Sequence, residues 1–471
     1  MTSGQPAHRE LPTGPWGRPT IVDEAMLRRT TAGTAVGNMV EWYDFGVYSY
    51  IAVTLGRVFF PASSGPVQLL STFATFAVAF GVRPLGGLFF GPLADRIGRR
   101  QVLAVTVIMM AIGTFSIGLL PGYAQIGAWA PALLLVARLV QGFSTGGEYG
   151  SAMTFLTEHA PDRRRGFQAS WLEFGTMAGF VLGAGVVTVL TATLPGRDLL
   201  AWGWRVPFLI AGPLGLAGLY LRLKLEETPA YEQLDGRAPQ RVFGARRELR
   251  RILAQQRRPL LVCVGLVLVF NVTSYILTSF MPSYLSAGLG LPQPVALTIV
   301  LAVMVVLMVL LPLVGRLSDL VGRRPVLMTG SLLLVAGSVP TFMLITRRTL
   351  TSVFAGCLLL GLIYLCFDST MPATLPALFP TDVRSGALSI AYNFSVSLFG
   401  GTTPLIATAL VQATHNLLAP GYYLAVAGLV GAVTVLFTPE SAGRPLPTAP
   451  PVATDVEEAH ELVREQQEAA A

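Results

Sequence analysis

Several ionisable side chains stand inside stretches that are otherwise apolar. Each costs about 2.5 to 3.5 kcal/mol at the middle of a hydrocarbon layer, so each needs a reason to be there. Glu41 and Asp44 lie three residues apart near the middle of the first such stretch. A helix puts them on one face, and Asn38 and Tyr48 extend that face by further turns. Two carboxyls this close repel when both are ionised, which makes the pair a site for taking up and releasing a proton. The same groups can instead be structural hydrogen-bond partners. Glu148 and Glu173 lie in the fourth and fifth stretches toward the same side. Antiparallel neighbours bring them to similar depth, either as a proton relay or, with Arg165 or Arg83, as a structural network. Arg138 can pair with a carboxyl of the first stretch or hold a substrate carboxylate. Asp368, in the tenth stretch, is either their partner from the second half of the chain or a tolerated cavity-lining residue.

Aromatic residues join this set because an ammonium group with few protons to donate is recognised by ring faces. Trp42 and Tyr43 flank the carboxyl face, Trp171 follows the fourth stretch, and Tyr275, Tyr364 and Tyr392 can face a cavity from the second half. Most aromatics in membrane spans are packing or interfacial anchors, and that reading stands beside the other for each of them.

The elements that must position these groups follow from composition. Of 471 residues 52% are hydrophobic and 13% charged, and mean hydropathy is +0.60. A soluble chain carries about a quarter charged residues, so much of this one needs lipid as its solvent. The net charge of +7 sits in short clusters between apolar runs, without the continuous basic stripe of a nucleic-acid binder. Three cysteines inside apolar runs give no disulfide framework and no metal or redox motif. Neither a His-Glu-x-x-His motif nor a nucleotide loop is present, which argues against an enzyme and against a cofactor. A channel needs a symmetric filter and a receptor a folded output domain, and neither is visible. What remains, from composition alone, is a helical membrane protein with membrane lipid around it.

Twelve apolar stretches are long enough to cross a ~30 Å hydrocarbon core as helices. They run over 32–56, 68–92, 101–120, 130–157, 168–194, 204–225, 259–286, 293–317, 325–346, 350–378, 386–413 and 420–438. Runs such as Leu301 to Leu311 lack the alternation of a barrel strand. Alternate loops are rich in arginine, at Arg28 and Arg29, Arg96 to Arg100, Arg163 to Arg165, 237–258, Arg323 and Arg324, and Arg384. By the positive-inside rule these loops and both termini face the cytoplasm, as expected of a multi-pass protein of the inner (plasma) membrane. The expected organisation is a cytoplasmic tail (1–30), a six-helix bundle (31–225), a cytoplasmic linker (226–258), a second six-helix bundle (259–438) and a cytoplasmic tail (439–471). The first tail lacks the pattern of a signal peptide. The second reads as a proline-rich linker and then one short amphipathic helix with Val456, His460 and Val463 on one side, too short for a coiled coil.

The two bundles are internal repeats. Gly91-Pro-Leu-Ala-Asp95-Arg96-Ile-Gly98-Arg99-Arg100 recurs as Gly315-Arg-Leu-Ser-Asp319-Leu-Val-Gly322-Arg323-Arg324, and Pro161 with Arg165 recurs as Pro380 with Arg384. Gly142, Gly146, Gly147, Gly175, Gly179 and Gly183 are spaced for close helix packing.

The doubled loop resembles the signature of the major facilitator superfamily, which implies an all-α membrane fold of twelve helices in two pseudo-symmetric six-helix bundles. In that family the loop is a cytoplasmic latch, so the resemblance implies latch roles for Asp95, Arg96, Arg99 and Arg100, and for Asp319, Arg323 and Arg324. Charges at helix ends can pair in one rocking state and hydrate in the other. Leu320 stands where the family usually has a basic residue, which implies a weaker second latch. Arginines that served only topology would not explain Asp95, Asp319 and the glycines.

A narrower resemblance extends along the chain. Gly37-Asn38-Met-Val-Glu41-Trp42-Tyr43-Asp44-Phe45, Arg83-Pro84-Leu-Gly-Gly and Gln141-Gly142-Phe-Ser-Thr-Gly146-Gly147-Glu148-Tyr149 resemble the metabolite:proton symporters. Ser170-Trp171-Leu-Glu173-Phe174, Trp202-Gly-Trp204-Arg205 and Asn271-Val-Thr273 are most similar to that family's osmoregulatory members. The resemblance implies proton-coupled uptake of zwitterionic osmolytes such as proline and glycine betaine by alternating access. Proton coupling would then fall to Glu41, Asp44, Glu148 and Glu173, and substrate contacts to Asn38, Trp42, Tyr43, Tyr48, Arg138, Trp171, Tyr364 and Tyr392. The alternative is another small metabolite, either a dicarboxylate such as 2-oxoglutarate, or shikimate; for such a net anion the cavity should carry fixed positive charge.

Overall fold

A backbone surrounded by lipid must satisfy its own hydrogen bonds, and this chain does so as a series of helices. The computed structural model describes residues 11–97, 99–146, 148–224 and 252–470. Side chains at 91, 92, 94–97, 99–101, 103, 104, 148, 151, 219, 221–224, 469 and 470 are excepted. The side chains of Asp95, Arg96, Arg99, Arg100 and Glu148, and most of the expected linker 226–258, thus lie outside the described residues.

Within the described residues the first six-helix bundle comprises α1 (Glu24–Tyr50, continued by Ala52–Phe59), α2 (Gly65–Gly81 and Arg83–Ile97), α3 (Arg99–Leu119), α4 (Trp129–Ser144 and Glu148–His159), α5 (Arg165–Thr193) and α6 (Val206–Lys224). The second comprises α7 (Arg257–Tyr275, extended through Tyr284–Gly288), α8 (Gln293–Val321), α9 (Arg323–Ile345), α10 (Leu350–Asp368 and Met371–Thr374), α11 (Arg384–Ser395, extended through Thr403–Thr414) and α12 (Ala419–Leu436). These match the twelve expected stretches to within a few residues at most ends. The first begins earlier, because Asp23 caps it by accepting from Ala25 N at 2.9 Å. Eight of the described helical stretches are long and apolar enough to cross a membrane by length and composition. In α1 the carboxyls Glu41 and Asp44 interrupt the apolar run, and α3 and α4 contribute shorter runs, Val105–Leu119 and Trp129–Ser144.

The repeat seen in sequence is a repeat of packing. In the first bundle α1 lies on α5 and α6, α3 on α4 and α6, and α2 on α4. In the second α7 lies on α11 and α12, α9 on α10 and α12, and α8 on α10, so every pair has its counterpart six helices later. The bundles meet where α5 crosses α8 and α2 crosses α11, which are again counterparts. Small residues make the tightest crossings possible: a Cβ on Gly142 of α4 would fall on the Ala79 carbonyl of α2, and one on Gly175 of α5 on the Ala35 carbonyl of α1. Two helices facing the centre are locally unwound into π turns, α7 at Ile276–Phe280 and Tyr284–Gly288 and α11 at Val396–Gly400, an irregularity that often marks functional positions.

The end of the molecule that carries the arginine-rich loops also holds the first and last described segments of the chain. After α12 the chain crosses from the second bundle to the first as a strap. Glu440 starts it by accepting from the backbone N–H groups of Arg323, Arg324, Ser441 and Ala442 at 2.8–3.0 Å. Arg384 then donates to Pro447 O at 2.9 Å and Arg165 to Arg444 O at 2.9 Å. These are the two arginines of the repeated Pro-x-x-x-Arg pattern, and each half grips the strap with its own copy. Beyond it β1 (Thr20–Ile21) pairs in parallel with β2 (Val452–Ala453), and α13 (Val456–Ala470) docks through Ala459, Leu462 and Val463. Arg163 ties α13 down through Glu461 at 2.8 Å. Of the expected face Val456, His460 and Val463, only Val463 is fully buried and the other two are half-buried; the face is shifted toward Ala459 and Leu462, because Leu11 and Ala453 offer apolar contact there.

Two outcomes follow. Overpacking costs about 1 to 3 kcal/mol, so Gly175→Leu should lower the amount of folded protein recovered from membranes. Gly185→Leu, on the same helix but with open space where its Cβ would stand, should not. Equal recovery of the two would contradict the packing described. In Glu440 burial opposes the charge, but four backbone N–H bonds overcome it and hold the carboxyl below the ordinary glutamate range. A lowered value stabilises the strap above the ordinary glutamate range, and that contribution is lost as pH falls through the folded value. Glu440→Gln should therefore speed amide hydrogen exchange in residues 441–453 at neutral pH, whereas unchanged exchange would remove Glu440 as the anchor.

Candidate functional site

The carboxyl face of α1 turns into the first bundle, where two arginines meet it. Arg83 stands just after the break in α2 at Val82, and its Nη2 lies 3.8 Å from Glu41 Oε1. Its guanidinium sits 5.3 Å from the Phe45 ring centre and 5.1 Å from that of Phe80. Arg138 of α4 lies over Tyr48 at 4.1 Å, with Phe76 at 5.1 Å and Phe45 at 5.7 Å. Both arginines are fully buried. Arg138 Nη1 donates to Gln141 Oε1 and Gln141 donates to Thr114, whose hydroxyl donates to Met110 O at 3.1 Å; Asp44 lies within electrostatic reach of Arg138 beside them. Three nitrogens of Arg83 and two of Arg138 have no hydrogen-bond partner among the described residues. Cation–π contact supplies part of what hydrogen bonds do not. Gly37, Val40, Met110 and Gly218 bound a small cavity beside Glu41 and Asp44. Among the described residues no cluster of histidine, cysteine and carboxylate side chains is placed to hold a metal ion.

The other expected site residues divide into two groups. Trp42 packs against Phe45, Phe180 and the edge of Tyr149, with 5.5–5.9 Å between ring centres. Tyr149 in turn stacks at 4.9 Å on Tyr392 of α11, across the two bundles. Tyr364 donates to Asp368 Oδ1 at 2.7 Å and accepts from Ser274 Oγ at 3.2 Å. These residues surround the centre, together with Tyr275, whose ring meets Phe76 and Phe80. Asn38, Tyr43, Tyr48 and Trp171 are engaged in packing. Asn38 donates to Leu172 O at 2.9 Å and to Thr176 on α5, and it accepts from Trp42. Tyr43 reaches Pro207 O of α6 at 2.8 Å, and Tyr48 donates to Thr72 O at 3.1 Å while offering its ring to Arg138. Trp171 is half-buried with Phe167 and Phe174, away from the central rings. Glu173 meets the Tyr149 hydroxyl and Asp368 rather than Arg165 or Arg83.

At the arginine-rich end the second copy of the doubled loop closes on the first bundle. Asp319 Oδ1 and Oδ2 accept from Gly166 N at 2.7 Å and Phe167 N at 2.8 Å, the first turn of α5. A carboxylate at a helix N-terminus satisfies N–H groups that have no partner in the helix and meets the positive end of its dipole. Arg323, 3.4 Å from Asp319, also donates to Ser441 at 2.8 Å. Arg324 donates to Leu436 O, holding α9 to α12. Leu320, which stands where the resemblance led to expect a basic residue, is exposed and takes no part in these contacts. Glu158 of α4 and Arg384 of α11, 2.6 Å apart, make a second bridge between the bundles.

The sequence profile of the Major Facilitator Superfamily matches residues 31–391 and 272–467. The chain belongs to that superfamily. Among its relatives is the proline/betaine transporter of Salmonella typhimurium (strain LT2), 47% identical over 454 residues that cover 95% of this chain and 91% of the relative. The glycine betaine/proline/ectoine/pipecolic acid transporter OusA of Dickeya dadantii (strain 3937) is 48% identical over 451 residues, 95% of this chain and 90% of the relative. Among solved structures, the proton:xylose symporter XylE bound to 6-bromo-6-deoxy-D-glucose superposes with a TM-score of 0.70 at 19% identity, covering 93% of this chain and 99% of that one. A partially occluded inward-open form of XylE from E. coli gives 0.69 at 20% identity, covering 90% and 100%. The two-bundle arrangement is therefore that of the superfamily, and the chain is a multi-pass membrane carrier.

Arg83, Gln141, Thr114 and Tyr149 were not singled out as site residues in the sequence. Arg83 carried a signal nonetheless, since an arginine inside an apolar stretch needs the same justification as Glu41. The latch geometry makes a prediction. Asp319→Asn removes the charge and one of two acceptors at the α5 N-terminus, and a hydrogen bond to a charged group contributes about 1.5 to 3 kcal/mol. In a background lacking the native cysteines, maleimide labelling of Ser170→Cys at the α5–α8 crossing should rise about ten-fold or more. Unchanged labelling would show that Asp319 does not hold the bundles together.

Proposed function

We propose that this chain is a proton-coupled importer of small zwitterions of the proline and glycine betaine class, working by alternating access. It is a carrier, not an enzyme. The observation that bears most weight is the central charge set: Arg83 and Arg138, both buried, stand beside Glu41 and Asp44, with aromatic rings between. Two cations and two carboxyls balance, which suits a substrate of no net charge better than a dicarboxylate. The open guanidinium nitrogens of Arg83 and Arg138 can receive a substrate carboxylate. The ammonium then meets ring faces such as Trp42 and Phe45, with Glu41 opposite. Proton coupling rests on Glu41 and Asp44, and further along on Glu173; Tyr364 and Tyr392 line the approach from the second bundle. Residues 31–225 and 259–438 act as the two rocking bodies joined by 226–258. The arginine-rich end, with both termini, faces the cytoplasm of a cell whose inner membrane holds the protein. Asp319, Arg323 and Arg324 serve as the latch that closes that end, and the sequence repeat assigns the counterpart role to Asp95, Arg96, Arg99 and Arg100.

Counterflow in proteoliposomes tests the substrate reading. Proline and betaine should exchange and 2-oxoglutarate should not, and exchange of 2-oxoglutarate alone would overturn the assignment. Arg83→Gln should raise the KM for either zwitterion by about ten-fold or more, from the loss of a charged hydrogen bond. Coupling is tested separately. A proton moving down ~100 mV supplies about 2.3 kcal/mol, enough for roughly fifty-fold accumulation of a neutral solute. Asp44→Asn or Glu41→Gln should reduce that accumulation more than it reduces exchange. If both variants still concentrate substrate normally, the proton is carried elsewhere.

A further inference from the structure

Pro84 follows Arg83 and has no N–H, so the Phe80 carbonyl four residues earlier in α2 loses the bond that a continuous helix would give it. The helix breaks there. Leu85 N and Gly86 N both turn to Val82 O, at 3.1 and 3.2 Å, and Val82 N turns back to Phe80 O. A carbonyl oxygen has two lone pairs, and a donor to this one comes from the opposite bundle: Ser397 of α11 donates to Phe80 O at 2.6 Å. Ser397 lies in the π turn Val396–Gly400. Hydroxyls farther along α11 bond back to carbonyls of their own helix, Thr402 to Leu398 O, Thr403 to Phe399 O and Thr408 to Pro404 O, so Ser397 departs from the local pattern. Gly401 permits the approach, since a Cβ there would overlap that of Phe80. One turn before Ser397, Asn393 donates to Gly146 O at 2.7 Å, between the two pieces of α4. The contact reaches the central site through one residue: the Phe80 ring lies 5.1 Å from the Arg83 guanidinium and meets Tyr275 edge-on at 5.5 Å, while the Phe80 carbonyl is held by α11.

We propose that Ser397 is a positioning residue for substrate recognition: it caps the carbonyl that Pro84 leaves open and so holds the break in α2 from which Arg83 is presented. Arg83 stands one residue beyond the break, so a rotation of the Phe80 peptide is passed directly to it. Because the donor belongs to the second bundle, the break is held in this form only while α11 lies on α2. Contact between the bundles and grip on the substrate therefore rise and fall together. This rests on the reading of Arg83 as the group that receives the substrate carboxylate. It gives the second bundle a part in that grip through a side chain that touches no substrate.

A double-mutant cycle tests this, because Pro84→Ala returns an N–H to position 84 that bonds Phe80 O within α2. Ser397→Ala alone should raise the KM of proline and betaine in counterflow about three- to ten-fold, as the loss of one hydrogen bond requires, with the maximal exchange rate little changed. In the Pro84→Ala background, whatever that change does by itself, Ser397→Ala should add nothing further. A readout without substrate runs beside it. Pro66→Cys and Gln412→Cys, in a background lacking the native cysteines, report the far ends of α2 and α11, where Gln412 donates to Pro66 O at 3.0 Å. Their joining by a short bifunctional maleimide should slow in Ser397→Ala, and not slow further when Pro84→Ala is already present. A serine that only fills space would shift KM by the same factor in both backgrounds. That result, or a wild-type KM in Ser397→Ala while Arg83→Gln raises it, overturns the proposal. If Pro84→Ala does not reach the membrane, Ser397→Thr and Ser397→Val decide: they share a shape, the first alone keeps the donor, and equal KM values overturn the proposal. A wild-type KM in Arg83→Gln would instead overturn the reading of Arg83 on which the proposal rests.

Discussion

A charged group inside a lipid-facing bundle must be met by a partner, and in this protein many of the partners come from the opposite bundle. Asp319 is met by the first turn of α5 and Arg384 by Glu158. None of these contacts survives separation of the bundles, so closure at the arginine-rich end is a condition for satisfying them without water. The small residues serve the same end. Gly175 and Gly142 let helices approach until backbones touch, which sets α1 and α2 where their ionisable residues point inward. Contacts that stabilise the closed arginine-rich end would therefore also set its balance against an open one.

The strap adds a restraint that neither bundle supplies alone. Glu440 fixes its beginning to the N-terminus of α9, the two repeated arginines hold its middle, and a short parallel strand pair with the N-terminal segment holds its far end. Opening the arginine-rich end must stretch or release it.

Much of this was legible in the sequence, and the parts that were not share a cause. Apolar length and arginine placement delimit the helices, because lipid imposes a one-dimensional rule. Glu41, Asp44 and Glu173 stood out because their cost in an apolar stretch is local. Asn38, Tyr43 and Trp171 matched a family pattern, but their partners are set by which helix lies alongside. Asn38 is spent on Leu172 and Thr176, more than a hundred residues away, and no spacing within α1 discloses that. The doubled Pro-x-x-x-Arg pattern was visible as a repeat while its use was not, since both arginines bind backbone carbonyls of a segment with no repeat of its own. Leu320 marked a departure from the expected latch, yet Asp319 closes it through backbone N–H groups that any residue provides.

Alternating access, the reading on which the roles of these contacts depend, is tested most directly by measuring both ends of one molecule together. Spin labels at Arg164 and Leu320 span the arginine-rich end, and labels at Ala62 and Asn416 span the other; all four positions are exposed. Addition of proline or betaine to the protein in lipid should lengthen the first distance while shortening the second. Lengthening of both, or a change at one end with the other fixed, would contradict a carrier in which closing one end opens the other.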